Sequence, residues 1–99
     1  MSQSISLQSV VVAGKDQIAC SLGEDVAILS TRNGVYYGLD PIGARVWKLL
    51  QEPRSVDEIC LTLLDEYEVG AERCEADLFD LLQRLSVEGL IEVRDGARS

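Results

Sequence analysis

The spacing of apolar residues changes at Asp40-Pro41, from every second residue before this point to every third or fourth after it. Before this point, Asp25 to Thr31 and Val35 to Leu39 have the alternation and residue types of strands. Asn33-Gly34 lies between them and predicts a tight type I′ hairpin, because this dipeptide tolerates positive φ angles. Asp40 offers an N-cap oxygen and Pro41 a helical φ, so a helix is predicted to begin there.

Two further apolar runs precede the hairpin. Ile5 to Val12 is rich in Ile, Leu and Val and is broken by Gly14-Lys15-Asp16, which predicts a first strand. Ile18 to Leu22 is expected to continue the pairing of that strand. With these strands in sequence order, Val35 to Leu39 would form an open edge of the sheet.

Three helices are predicted after the sheet, and the first runs from Pro41 to about Leu50. Ser55 and Glu58 match a capping box, in which each side chain satisfies the other residue's exposed amide, so a second helix should span Val56 to Tyr67. A third is predicted from about Arg73 to Glu88, where Gly89 stops it. Leu90 to Val93 is expected to form a short closing strand. The predicted core includes Leu39, Val46, Trp47, Ile59, Cys60, Leu63, Cys74, Leu78, Leu81 and Leu85, with Leu82 at its margin.

This order of elements predicts an α+β domain that resembles a winged helix-turn-helix, with an N-terminal three-stranded antiparallel sheet followed by three helices. The 99 residues suffice for one compact domain and are too few for two. We therefore expect a single domain over residues 1–99, with its core over about residues 5–93.

The chain has no histidine, and this argues against an enzyme. Histidine is the usual base of Ser-His-Asp and Cys-His mechanisms and the commonest general acid or base near pH 7. Cys20, Cys60 and Cys74 are odd in number and far apart, without a Cys-x-x-Cys pair, which is typical of reduced core or surface residues. We predict no catalytic residue, no metal and no cofactor.

The charge balance argues against nucleic acid as a partner. With 17 acidic and 9 basic residues, the net charge is -8, and such a domain should repel phosphate backbones. A winged-helix DNA-binding regulator is an alternative that the helix order permits, but the predicted third helix is itself acidic. It carries Glu75, Asp77, Asp80 and Glu88 against Arg73 and Arg84. A neutral or basic ligand is expected.

The sequence contains no apolar run of the roughly 18 residues needed to cross a bilayer. Met1 to Ser4 also lacks the charged and apolar regions of a signal peptide. We therefore expect a cytoplasmic protein without a membrane partner.

The stretch from Asn33 to Leu50, NGVYYGLDPIGARVWKLL, resembles the PqqD-like family and particularly its lasso-peptide branch. Ser55 to Ile59, Leu63 to Tyr67, and Asp77 to Leu85 followed by Gly89 to Glu92 agree with the family in order and spacing. The resemblance covers about Asp25 to Val93.

The resemblance implies a recognition element for ribosomally synthesised, post-translationally modified peptides. The leader segment of the precursor would add as a strand beside Val35 to Leu39 and lie in a cleft against the third helix. In the lasso branch the domain supplies the bound precursor to a separate cysteine leader peptidase. In the parent branch it presents a precursor to a radical-SAM enzyme of quinone-cofactor biosynthesis, and this alternative remains open.

Strand addition requires an open edge, whose unpaired amides and carbonyls an extended peptide can satisfy. Along Val35 to Leu39, alternation directs Val35 and Tyr37 to one face, where they either line the cleft or pack beneath it. Tyr36 points to the other face and either clamps a ligand or covers the sheet. Gly38 either lets a partner backbone approach closely or kinks the strand before the helix.

On the third helix, Glu75, Phe79, Leu82 and Ser86 form a face beside the core stripe. The large apolar side chain of Phe79 predicts that this face borders the cleft, unless Phe79 covers the first or second helix. The opposite flank is charged and is predicted to be solvated: Asp77, Asp80, Arg84 and Glu88. The predicted leader-binding residues are Val35, Tyr36, Tyr37, Gly38, Glu75, Leu78, Phe79, Leu82 and Ser86.

Overall fold

A computed structural model describes residues 5–23 and 25–94. The strands are β1 (Val10–Ala13), β2 (Gln17–Leu22), β3 (Asp25–Ser30), β4 (Tyr36–Leu39), β5 (Arg54–Ser55) and β6 (Ile91–Arg94), and the helices are α1 (Pro41–Leu49), α2 (Val56–Glu66) and α3 (Ala71–Val87). An antiparallel sheet in the order β2-β3-β4 is followed in sequence by the three helices. The predicted α+β fold and the short closing strand are confirmed.

The first strand does not join that sheet, so its predicted partner was wrong. β1 lies between β5 and β6 in a second antiparallel sheet, and β2 takes the place beside β3. Residues before β1 have another role, because the carbonyls of Leu7 and Ser9 accept hydrogen bonds from the amides of Asp57 and Val56. These amides open α2 and have no partner inside the helix.

The hairpin between β3 and β4 is confirmed, but its turn is not type I′. Five residues, Thr31 to Val35, connect the strands, and Gly34 alone among them has a positive φ, of 70°. The Gly34 amide donates to the Ser30 carbonyl at 2.8 Å, and the Asn33 side chain accepts from the Val35 amide at 3.1 Å. The longer loop lets Asn33 remain at negative φ while its side chain orders the turn.

The predicted starts of α1 and α2 are confirmed by their N-caps. The Asp40 carboxylate accepts from the Gly43 amide at 2.7 Å, and the Ser55 hydroxyl accepts from the Glu58 amide at 3.1 Å. The carboxylate of Glu58 instead accepts a hydrogen bond from Arg54, at 3.2 Å. Of the two hydrogen bonds of the predicted capping box, the structure therefore shows the one from the Glu58 amide to Ser55. The caps place α1 directly after β4, which fixes the end of the strand.

The core lies between the two sheets and the helices and contains Leu39 and Trp47, as predicted. On α3 the buried stripe is shifted from the prediction. Leu82 is fully buried, whereas Leu81 is only half-buried. α3 packs against both α2 and β6, and the side chains buried along it are those of Cys74, Leu78, Leu82 and Leu85.

Cys60 and Cys74 meet in this core between α2 and α3. Both are buried, and their sulfur atoms are 3.9 Å apart. Burial, reinforced by the contact with Cys74, raises the pKa of the Cys60 thiol to about 11, so it stays protonated near neutral pH. Within residues 5–23 and 25–94, no group of three His, Cys, Asp or Glu side chains could hold a metal ion. In the same ranges, no helix has the length and apolar content that crossing a membrane requires.

Candidate functional site: an open strand edge beside a groove

β4 is an open edge of its sheet, since among the described residues it pairs with β3 alone. The Ser30 amide donates to the Val35 carbonyl at 2.9 Å, so these two residues form a hydrogen-bonded pair. Such pairs recur at every second position of an antiparallel ladder. Ile28 with Tyr37 and Val26 with Leu39 are therefore the bonded pairs. The amides and carbonyls of Tyr36 and Gly38 consequently point away from the sheet and are free to pair with another chain.

A groove follows this edge, because β4 packs on β3 and α1 while α3 packs on α2 and β6. We call it the β4–α3 groove. Its first compartment has a volume of about 460 Å³ and reaches α1, α2 and the α2–α3 connection, and its second, of about 450 Å³, extends toward the end of α3. Gly38, Leu39, Leu81 and Arg84 border both compartments, so the two form one continuous channel beside the strand.

The walls of the first compartment are mainly apolar. They include Leu39, Ile42, Val46, Leu63, Tyr67, Val69, Leu78 and Leu81. Ile42 and Val69 are 40% and 38% exposed, so this wall offers apolar surface that a ligand can cover. An ion pair between Arg45 and Glu66, with a shortest N–O distance of 2.7 Å, ties α1 to the end of α2 beside this wall. The guanidinium lowers the pKa of the Glu66 carboxyl.

Charged side chains surround the groove, and carboxylates outnumber cations. Four acidic residues line it, Asp40, Asp77, Asp80 and Glu88, against Arg73 and Arg84. Arg84 pairs with Asp80 at 3.2 Å, and both side chains are about 70% exposed. The groove is thus apolar in its floor and acidic at its rim, which suits an apolar peptide segment with basic neighbours.

Tyr37 spans the second compartment and joins its two sides. Its hydroxyl donates a hydrogen bond to the carboxylate of Glu88, which caps the end of α3. This bond, more than any burial, raises the pKa of the Tyr37 phenol. Tyr37 also packs partly against the core, whereas Tyr36 on the opposite face is 70% exposed. The alternation predicted for the strand is therefore confirmed.

Of the nine predicted leader-binding residues, the structure brings four to the groove. These are Tyr36, Tyr37, Gly38 and Leu78. Val35 lies just before β4 and is 43% exposed. The other four, Glu75, Phe79, Leu82 and Ser86, border neither compartment.

Phe79, which was expected to border the cleft, does not line the β4–α3 groove. β4 lies on the charged flank of α3, where Asp77, Asp80 and Arg84 line the groove. Phe79 and Leu81 point in nearly opposite directions from the helix axis, since they are two residues apart. Leu82 is fully buried, and Phe79 packs partly against the core on the far side.

Sequence reasoning missed several groove residues, most clearly Leu81 and Arg84, which border both compartments. Leu81 was assigned to the core stripe, and Arg84 to a solvated face without a ligand. The side chains of Arg84 and its partner Asp80 are exposed to solvent, as expected for this face. They also form part of the rim of the groove. An apolar residue adjoining a charged flank, as Leu81 does, was the available signal.

Comparison with known proteins identifies the family of this chain. Residues 25–91 match the family described as "Coenzyme PQQ synthesis protein D (PqqD)". The chain belongs to the PqqD family. The match begins with β3 and ends in β6, so the family region includes β4, α3 and the groove between them.

A solved structure of a similar protein adds to this family assignment. It is described as "TbiB1 in Complex with the TbiA(beta) Leader Peptide". That protein is 32% identical to this PqqD-family chain, with a TM-score of 0.76, and the comparison covers 82% of this chain and 94% of the other. Among curated proteins, none matches this sequence.

Proposed function

We propose that this chain binds the leader segment of a ribosomally made precursor peptide and presents it to a separate cysteine leader peptidase of lasso-peptide maturation. The leader adds as a strand to β4 and places its side chains in the β4–α3 groove, and this chain performs no chemistry itself. The observation that carries the proposal is the open edge of β4 beside an apolar groove. The described leader complex of TbiB1, 32% identical to this chain, supports it.

Strand addition explains why the edge and the groove occur together. The outward amides and carbonyls of Tyr36 and Gly38 give main-chain hydrogen bonds to any extended peptide. Selectivity must come from side-chain pockets, and Leu39, Leu78 and Leu81 supply the apolar walls of these pockets. No atom lies within 4 Å of the place where a Gly38 side chain would begin, so this position leaves room for an approaching backbone.

Hydrogen exchange tests the proposed pairing. Leader binding should slow exchange at the amides of Tyr36 and Gly38, because these amides gain carbonyl partners. The amides of Tyr37 and Leu39 already donate to β3 and should change less. Protection that appears in β1 and is absent from β4 would contradict strand addition at this edge.

Delivery to the peptidase is a separate prediction. At low precursor concentration, adding this protein should raise the rate of leader cleavage, because bound precursor reaches the peptidase at a higher local concentration. The protein alone should cleave nothing. A Gly38→Pro variant, defective in leader binding, should give no acceleration, and equal cleavage rates with and without the wild-type protein would eliminate the delivery step.

The acidic rim predicts that salt slows association with a leader that carries Lys or Arg. Opposite charges steer the encounter of two molecules, and added salt screens this attraction. Stopped-flow measurements should give an association rate that falls between low and physiological ionic strength. Asp77→Asn should reduce this dependence, whereas Asp65→Asn, on α2 and outside the groove lining, should reduce it less. A rate that stays flat with salt would assign the net charge to solubility alone.

The family description favours one alternative within the same mode of binding. The precursor could belong to quinone-cofactor synthesis, with a radical-SAM enzyme as the recipient, since the family is named for coenzyme PQQ synthesis. Titrating the protein with one leader of each pathway separates the two. Tight binding of the quinone-cofactor precursor and none of a lasso leader would replace the first proposal.

A further inference from the structure

Cys60 and Cys74 are two thiols that the proposed leader binding does not use, and they lie in contact with each other. Cys60 is on α2 and Cys74 on α3, and their sulfur atoms are 3.9 Å apart. A disulfide bond holds its sulfur atoms about 2.05 Å apart, so closing this pair requires an approach of roughly 2 Å. The two cysteines are 14 positions apart in the chain, and a bridge between them would close a loop that contains the α2–α3 connection.

Of these two thiols, that of Cys74 is the one at the groove. Cys74 lines the first compartment of the β4–α3 groove, whereas Cys60 borders neither compartment. Cys74 and Cys60 are otherwise buried, at 7% and 4% exposure. A small reagent therefore reaches the pair through the groove and meets Cys74 first, with Cys60 directly behind it.

The pair also adjoins the apolar wall of the first compartment. Leu63 follows Cys60 by one turn of α2, and Leu78 follows Cys74 by one turn of α3. Both leucines are buried and line this compartment. Side chains three or four positions apart share a helix face. Drawing the two sulfur atoms together therefore also draws the two leucines together and narrows the compartment.

We propose that Cys60 and Cys74 form a redox-controlled modification site, and that their disulfide and a bound leader exclude each other. The oxidant is a small disulfide of the glutathione type, which enters the empty groove. A leader in the groove covers Cys74 and keeps the pair reduced, and the disulfide narrows the compartment that the leader must enter. This inference deepens the proposed function and rests on it for the part played by the leader.

The chemistry consists of two successive thiol–disulfide exchanges. The Cys74 thiolate attacks one sulfur atom of the small disulfide, whose S–S bond breaks, and the leaving thiolate takes up the proton that Cys74 lost. The Cys60 thiolate then attacks the Cys74 sulfur and releases the second half of the reagent, which takes up the proton of Cys60. Two protein thiols are thus oxidised while one small disulfide is reduced to two thiols. Burial raises the pKa of the Cys60 thiol to about 11, which makes the second exchange the slow one.

Mass spectrometry of the full-length Cys20→Ser protein tests the modification, because this substitution removes the exposed third thiol. After incubation with oxidised glutathione, the monomer should lose two hydrogens and carry no adduct. Its unfolding temperature should rise by roughly 5 °C or more, because the bridge restricts the unfolded chain. A pair that stays reduced, while Cys20 of the wild-type protein reacts under the same conditions, would overturn the proposal.

Two matched variants in the Cys20→Ser protein test the route through the groove. Cys60→Ala leaves the thiol at the groove and should keep a glutathione adduct on Cys74. Cys74→Ala leaves the thiol behind it and should form an adduct roughly ten times more slowly, because Cys60 has no access from the groove. Equal rates for the two folded variants would show that oxidation proceeds through unfolding of the chain and would refute the groove route.

Titration of the reduced and oxidised forms with a synthetic leader tests the exclusion. The oxidised form should bind about fivefold more weakly or worse, and linkage then requires the leader to shift the thiol–disulfide equilibrium toward the dithiol by the same factor. Equal affinities of the two forms, or an equilibrium in glutathione buffer that the leader leaves unchanged, would refute the exclusion. A reduced form that binds no leader would overturn the proposed function and the exclusion together, whereas the disulfide measured by mass would stand.

Discussion

Replacing Gly38 with proline should weaken leader binding by about 2 to 4 kcal/mol, on the order of 30- to 1000-fold. Proline removes the outward amide of Gly38, which leaves a leader carbonyl without its partner, and its ring occupies the space into which the leader backbone must come. The fold should survive, because this amide has no bond to β3 and an edge strand tolerates proline. Isothermal titration with a synthetic leader measures the loss, and circular dichroism checks the fold.

Gly38→Ala is the matched control for this effect. Alanine keeps the amide, and its Cβ meets no atom within 4 Å, so the loss of affinity should be small. If alanine weakens binding as much as proline does, the space at Gly38 matters and the amide does not. If neither variant weakens binding, the leader does not pair with β4.

Replacing Leu81 with alanine should weaken leader binding by about 1 to 2 kcal/mol, on the order of five- to thirtyfold, whereas Phe79→Ala should leave it nearly unchanged. Leu81 borders both compartments of the groove, and the exposed part of its side chain can be covered by a ligand. Phe79 is also half-buried and apolar on the same helix, but it packs on the other side.

The two variants form a matched pair, and fluorescence polarisation against a labelled leader compares them. Thermal unfolding is needed as a control, because truncating either side chain removes contacts with the core. A large loss for Phe79→Ala with none for Leu81→Ala would place the leader on the Glu75, Phe79 and Ser86 face of α3. That outcome would restore the site predicted from the sequence.

The sequence by itself determined the local features of the fold, because each depends on neighbouring residues. Asp40 and Ser55 accept amide hydrogens three positions ahead, so the starts of α1 and α2 were readable from short motifs. The alternation of Tyr36, Tyr37 and Leu39 predicted which face of the sheet each side chain occupies. The order of the strands predicted that β4 forms an open edge. Composition gave the net acidic charge, but not its place at the rim of the groove.

The tertiary structure alone decided which flank of α3 faces β4. Helical periodicity fixes the angles between side chains on one helix, but not the direction in which the helix packs. Two flanks adjoin the core stripe of α3, and the apolar Phe79 favoured the flank that does not border the groove. Only the contacts of α3 with α2 and β6 turn Leu81 and Arg84 toward β4.

The partner of β1 was decided in the same way. Ile5 to Val12 reads as a strand that could join either sheet, because main-chain pairing is nearly independent of sequence. The choice depends on Leu7 and Ser9, whose carbonyls cap α2, and on β6, which lies about eighty residues away in the chain. Short-range chemistry thus determined the elements of this protein, whereas contacts between residues distant in sequence determined how those elements enclose its groove.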